Sequence, residues 1–211
     1  MRRSALIVVI LAASMPFALG ASSGPAVQIV SPGGSIQAAV DRAPKGGVIL
    51  IRPGTYIESR DVTNGLNLTR SVHLVGLSTP GKPVILRNPG WQANGIAAVP
   101  AEHTDCRRCH STLAPPFTTH PWVEMTVSHD PEIDGLTVAG LTIEGFTNNG
   151  LFTRNVSNFR IVDVHSVDNV NYGIFPTLSQ DGLIANSSAT GSRDSAGVPA
   201  RRLCFQQRRR A

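Results

Sequence analysis

A chain of 211 residues with 19 basic and 14 acidic side chains has a formal net charge of +5 and a pI near 9.7, a balance that suits a polyanion-binding protein. The placement of the charges excludes that class. Arg2 and Arg3 open the chain and Arg201, Arg202, Arg208, Arg209 and Arg210 close it, so the stretch from Ala21 to Ala200 keeps twelve basic residues against all fourteen acids, a net of −2, and has no basic face for phosphates.

No nucleic-acid partner is therefore expected. Few aromatics and abundant Gly, Asn, Ser, Thr and Val favour β-branched strands and turns over helices, in one domain of ordinary size. Residues 1–20 combine a short basic start, the apolar run Ala5–Ala13, and small residues Ala18 and Gly20 at cleavage spacing. That is the pattern of a secretory signal peptide, with an apolar run too short to span a bilayer. A secreted or periplasmic protein is expected, cut near Gly20 and without membrane contact once the signal is removed.

Ser35 is a good N-cap, and Ile36, Ala39, Val40 and Ala43 fall on one helical stripe that Pro44 and the Gly46-Gly47 pair bring to an end. The spacing predicts a short amphipathic helix laid over an otherwise open apolar end. Short strands follow in "VILI" (48–51), "SVHLVG" (71–76) and "PVILRN" (83–88), with "PGTY" (53–56) as a turn.

From Trp91 to Asp134 the alternation lapses, Pro is frequent, and His103, His110, His120 and His129 gather with Cys106, Cys109 and Met125. A long irregular insertion over 91–134 is expected. It contains Cys106-Arg-Arg-Cys109-His110, for which three readings stay open. One is a Cys106–Cys109 disulfide, suited to an exported protein. Another is a Zn or Cu site built from Cys106, Cys109, His110 and His120. The third is haem c attached to the two cysteines with His110 as proximal ligand, although no helical cytochrome envelope surrounds the motif.

Three segments then align, from Asp134, Asn158 and Asp181, and Gly150, Gly173 and Gly197 keep the same rhythm. On this alignment Asp134 and Asn158 stand one residue further apart than Asn158 and Asp181. Each unit has apolar runs of three to five residues between polar turns, too short for helices. Such a unit cannot bury its own apolar face, and stacking successive units buries it. Val138, Leu141, Ile143, Ile161, Val164, Ile174 and Leu183 are expected in the core. After Gly197 the pattern stops. Residues 198–211 lack alternation and acids, and a disordered basic tail is expected there. A frame change near codon 195 and a natural tail both account for it. Without a visible cap, the last coil is expected to self-associate through its open end, with the odd Cys204 free to cross-link.

The segment "SIQAAVDRAPKGGVILIRPGTYIES" (35–59), followed by these units, resembles the opening of right-handed parallel β-helix proteins of the pectin-lyase-like superfamily, here cut short at the C-terminus. The resemblance implies an all-β fold over 21–197, a right-handed parallel β-helix solenoid with a short N-terminal capping helix. It also implies a carbohydrate-directed function, either polysaccharide binding or kinship with polysaccharide lyases and hydrolases. The superfamily includes a periplasmic copper-accessory group, so metal handling through the Cys/His-rich insertion is an alternative. A surface solenoid without catalysis is another. The catalytic signatures of the superfamily's pectin methylesterases are missing, since "YGIFPTL" (172–178) has no attacking carboxylate, and whether the chain is an enzyme stays open.

If Leu141/Ile143 and Val162/Val164 point inward, Thr142, Glu144, Asp163 and His165 point outward on stacked strands. Glu144 is then expected beside His165 across one rung, with Asp163 two residues along. That set suits proton transfer or binding of a sugar hydroxyl. Arg160, of opposite parity, leaves the stripe without an arginine.

Overall fold

The computed structural model describes residues 25–100 and 133–191. The signal segment 1–20, the residues Cys106, Cys109, His110 and His120, and the tail 198–211 lie outside the described residues.

Strand β1 (Val27–Val30) comes first, and helix α1 (Ile36–Arg42) follows it. Ser35 caps the helix by accepting from the Ala38 N–H at 3.0 Å, and Ile36, Ala39, Val40 and Ala43 are all buried, as the stripe predicts. The first turn is held a second time from outside the helix. The Glu58 carboxylate accepts from the N–H groups of Ile36 and Gln37 at 2.5 and 3.4 Å and from Ser35 Oγ at 2.8 Å. These N–H groups are among the orphan donors that a helix start always leaves.

The chain then winds in circuits. The first holds β2 (Gly47–Ile51), β3 (Gly54–Tyr56) and β4 (Asn64–Leu68), and the second β5 (Val72–Gly76), β6 (Val84–Arg87) and β7 (Asn94–Ala98). The third holds β8 (Ile133–Asp134), β9 (Thr137–Ala139), β10 (Thr142–Glu144) and β11 (Asn149–Arg154). The fourth holds β12 (Val156–Ser157), β13 (Arg160–Val162), β14 (His165–Val167) and β15 (Tyr172–Thr177), and β16 (Leu183–Ala185) and β17 (Ser188–Thr190) begin a fifth. The strands are dealt in rotation to three sheets. Sheet I has the order β1-β2-β5-β9-β13-β16, sheet II β17-β14-β10-β6-β3, and sheet III β15-β11-β7-β4, with β8 and β12 forming a small pair. Every pairing between named strands is parallel. The described residues are thus all-β with one helix, in open parallel sheets compatible with a solenoid.

Register stacks like on like in the interior. Ile49, Leu74, Val138, Ile161 and Ile184 form one inward column of sheet I, and Leu66, Ile96, Leu151 and Ile174 one of sheet III. Apart from the partly buried Ile184 in the fifth circuit, these residues have no exposed surface. Each such burial is worth about 1.5–3 kcal/mol. Six of the seven core residues expected from sequence are buried. Leu183 is not, at 45% exposure. It pairs with the outward Arg160, and the inward position belongs to Ile184.

Two sequence-based boundaries need correction. The stretch 91–134 does not start as a loop. Strand β7 lies inside it, in register with both β4 and β11, so the winding runs on to Ala98 and resumes by Ile133. The repeat is also more regular than alignment on Asp134 suggests. From Gly135 on, the residues with positive φ form four corner columns: Gly140, Asp163 and Asn186; Gly145, Asp168 and Gly191; Gly135, Asn158 and Asp181; Asn155 and Leu178. All four columns advance by one constant step per circuit, the same step that brings His165 over Ser188. Gly135, not Asp134, is the counterpart of Asn158, which removes the extra residue from the first spacing.

One corner residue is out of character. Gly, Asn and Asp tolerate the left-handed conformation, whereas Leu178 is held there at φ 48°, at a cost of about 1–2 kcal/mol for a residue with a full side chain. Leu178→Asn, which copies Asn155 one circuit earlier, is expected to raise the stability by about 1 kcal/mol. Urea denaturation with an unchanged m-value checks it.

Candidate functional site

On sheet II the outward residues form two columns. One holds Thr55, Ile85, Thr142, His165 and Ser188, and the other includes Arg87, Glu144, Val167 and Thr190. The register puts Thr142 opposite His165 and Val167 opposite Glu144. The direct Glu144–His165 neighbourhood expected from sequence is therefore replaced by a diagonal relation. Each of the two has another partner. His165 Nδ1 and Ser188 Oγ share a hydrogen bond at 2.9 Å, and Glu144 forms an ion pair with Arg87 on the preceding circuit.

Arg87 also corrects the expectation that the stripe lacks an arginine. Asp163 is not in a strand at all. It occupies the exposed left-handed corner between β13 and β14, at φ 52°. That corner resets the parity, so Ile161 and Val164, three residues apart, both point inward while Val162 does not.

Sheet III presents a different outer surface. Its strands begin with Asn64-Gly65, Asn94-Gly95, Asn149-Gly150 and Tyr172-Gly173 in one column. The first three side chains form an amide ladder, with Asn94 Nδ2 donating to Asn64 Oδ1 and Asn149 Nδ2 to Asn94 Oδ1, both at 2.8 Å. The fourth circuit replaces the amide with the Tyr172 ring.

Further along each strand, the outward column reads Asn67, Ala97, Phe152 and Phe175. Three half-buried rings therefore meet on the third and fourth circuits. Tyr172 stacks on Phe175 with centroids 4.5 Å apart and planes at 25°, and Phe175 lies 5.8 Å from Phe152 at 38°. Arg154, on the same face two residues beyond Phe152, has a buried Nε with no hydrogen-bond partner. A buried donor left without an acceptor is rare in a native fold and calls for a reason. Sequence reading found Gly-Leu-Phe and Gly-Ile-Phe here and used them as markers of the repeat. Their identical offset from Gly150 and Gly173 was the available signal that the two Phe rings occupy one column.

Two carboxylates are displaced from their ordinary range, Asp61 beside the first-circuit strand of sheet III and Asp134 in the small β8–β12 pair. Burial alone would raise Asp61, but hydrogen bonds from the Asn64 and Thr63 N–H groups and the Asn67 amide outweigh it and hold it low. Asp134 is held low by Asn158 Nδ2 at 2.6 Å and Ser157 Oγ at 3.1 Å, with help from Lys45. Both brace corners. A general acid would require the opposite displacement. Among the described residues no group of three or more His, Cys, Asp or Glu is placed to hold a metal ion.

No family model, curated protein or solved structure matches this chain.

Proposed function

We propose that the chain is an exported right-handed parallel β-helix of the pectin-lyase-like kind that binds carbohydrate on the outer face of sheet III. The rotation of strands through three sheets, the constant step of the corner columns and the capped opening helix support the fold reading. The cluster of Phe152, Phe175 and Tyr172 on this outer face carries the functional one. A pyranose ring has an apolar face of C–H groups that packs against the negative face of an aromatic ring, while its hydroxyls need hydrogen-bond partners nearby. Rings on neighbouring rungs supply the first requirement, and the polar side chains of Arg154 and Thr177, paired on the same outward face, the second. The ladder amides of Asn94 and Asn149 flank them on the same sheet.

Affinity electrophoresis in gels containing neutral or acidic polysaccharides tests this. At least one polysaccharide should retard the protein, and Phe175→Ala should weaken retardation about tenfold, the loss of one aromatic contact of about 1.4 kcal/mol. Melting curves taken in parallel show whether the variant stays folded. Retardation equal in parent and variant, or none with any polysaccharide, would dispose of this assignment.

A further inference from the structure

Strand β1 ends sheet I, and among the described strands it pairs only with β2. The bonds from Val48 N–H to Ala26 O and from Arg52 N–H to Val30 O, both 2.9 Å, fix the phase of the ladder. In a parallel pair each residue turns its N–H and C=O to the same side. Ala26, Gln28 and Val30 therefore serve β2, and Val27 and Ile29 turn their backbone groups to the open edge.

The side chains of these two residues point outward and are 56% and 58% exposed. Ile29 heads a column of Leu50, Val75, Ala139, Val162 and Ala185 that is apolar on all six strands of the sheet. Edge strands are ordinarily guarded by charge, proline or a bulge. The sequence Val-Gln-Ile-Val of β1 has no such guard.

We infer that this edge is an interaction surface for a second copy of the chain, which adds its own β1 antiparallel across a two-fold axis at Gln28. The strand is self-complementary about that residue. Val27 faces Ile29 of the partner subunit and Ile29 faces Val27 of the partner subunit, so the open N–H and C=O groups of both copies are satisfied. The outward side chains meet as apolar cross-strand pairs, and no charge on the strand repels its own image. The two apolar columns join into one stripe across twelve strands, six from each copy. Pro25, just before the strand, offers no N–H.

Sedimentation equilibrium of the exported protein, with a thiol reductant present and up to about 200 µM chain, tests the inference. A reversible monomer–dimer equilibrium is expected, and Ile29→Lys should weaken it at least about tenfold by placing like charges across the axis. Val27→Lys should do the same. Both positions are exposed, so at dilutions where the parent is monomeric the variants should melt like it. A parent that stays monomeric would overturn the inference by showing that another part of the chain covers the edge or that it stays open. A dimer indifferent to both lysines would overturn it by placing the contact elsewhere, such as the far end of the stack. Neither result bears on polysaccharide binding, which is read on sheet III.

Discussion

Ile161→Asp should unfold more readily than the parent by several kcal/mol, while Val162→Asp, one residue away, should cost about 1 kcal/mol or less. Ile161 is completely buried, with Val138 beneath it and Ile184 above it on sheet I. A carboxylate at this position has no donor within the apolar column, and the group must either pay its desolvation or take up a proton. Val162 stands in the outward column between Ala139 and Ala185 and keeps access to solvent. The pair tests register directly, because a slip of one residue exchanges the two faces of a strand. Urea unfolding of both variants decides it. Equal losses, or a larger loss at Val162, would mean that the inward column of sheet I is assigned to the wrong residues.

The parity of this strand also shows where sequence reading succeeds and where it fails. A period of 2 holds only within a strand, and the strands of sheets I and II on the third and fourth circuits are three residues long. Between them a left-handed corner rotates the chain and resets the count. Reading straight through Asp163 therefore paired Val162 with Val164, whereas the buried pair is Ile161 and Val164. Where Gly140 marks the equivalent corner, Leu141 and Ile143 were placed correctly inside because both follow it. The opening helix was legible for a different reason. Its cap, stripe and stop are all local, and each lies within or beside the element it defines.

Long-range neighbours were less accessible. Arg87 meets Glu144 from 57 residues away because the segment between β7 and β8 interrupts the regular step from circuit to circuit. No counting of repeats from the C-terminal units reaches across that interruption. A signal did exist in the Asn-Gly pairs at 64, 94 and 149, which mark the start of the same strand on three circuits. Physical cause and sequence pattern coincide there: the amide ladder needs Asn, and the close approach of the rungs needs Gly.

That close approach predicts the second large effect. A Cβ built on Gly150 would meet the Gly173 carbonyl oxygen at 2.6 Å, Asn169 Nδ2 at 2.8 Å, and Ser166 Oγ closer still. The carbonyl belongs to the next rung, so it cannot move without spreading β11 from β15. The two side chains are themselves committed. Asn169 Nδ2 donates to Ser166 Oγ at 2.7 Å and to the Ile143 carbonyl at 2.9 Å, while its Oδ1 accepts from the Phe146 N–H at 2.8 Å. A methyl group at 150 would thus strain the ladder and also displace a buried amide that bridges the third and fourth circuits. Overpacking costs about 1–3 kcal/mol and a buried polar group left without its partner a similar amount. Gly150→Ala is therefore expected to lose about 2–5 kcal/mol, and to disturb Phe152 and Phe175, whose relative placement depends on the same pair of strands. Gly81→Ala is the control. It has nothing within 4 Å and only its φ of 77° to resist substitution, so a loss of about 1–2 kcal/mol is expected. Denaturant midpoints measure both, and a Gly150→Ala variant no less stable than Gly81→Ala would mean that the rungs are farther apart at this column than the 2.6 Å approach requires.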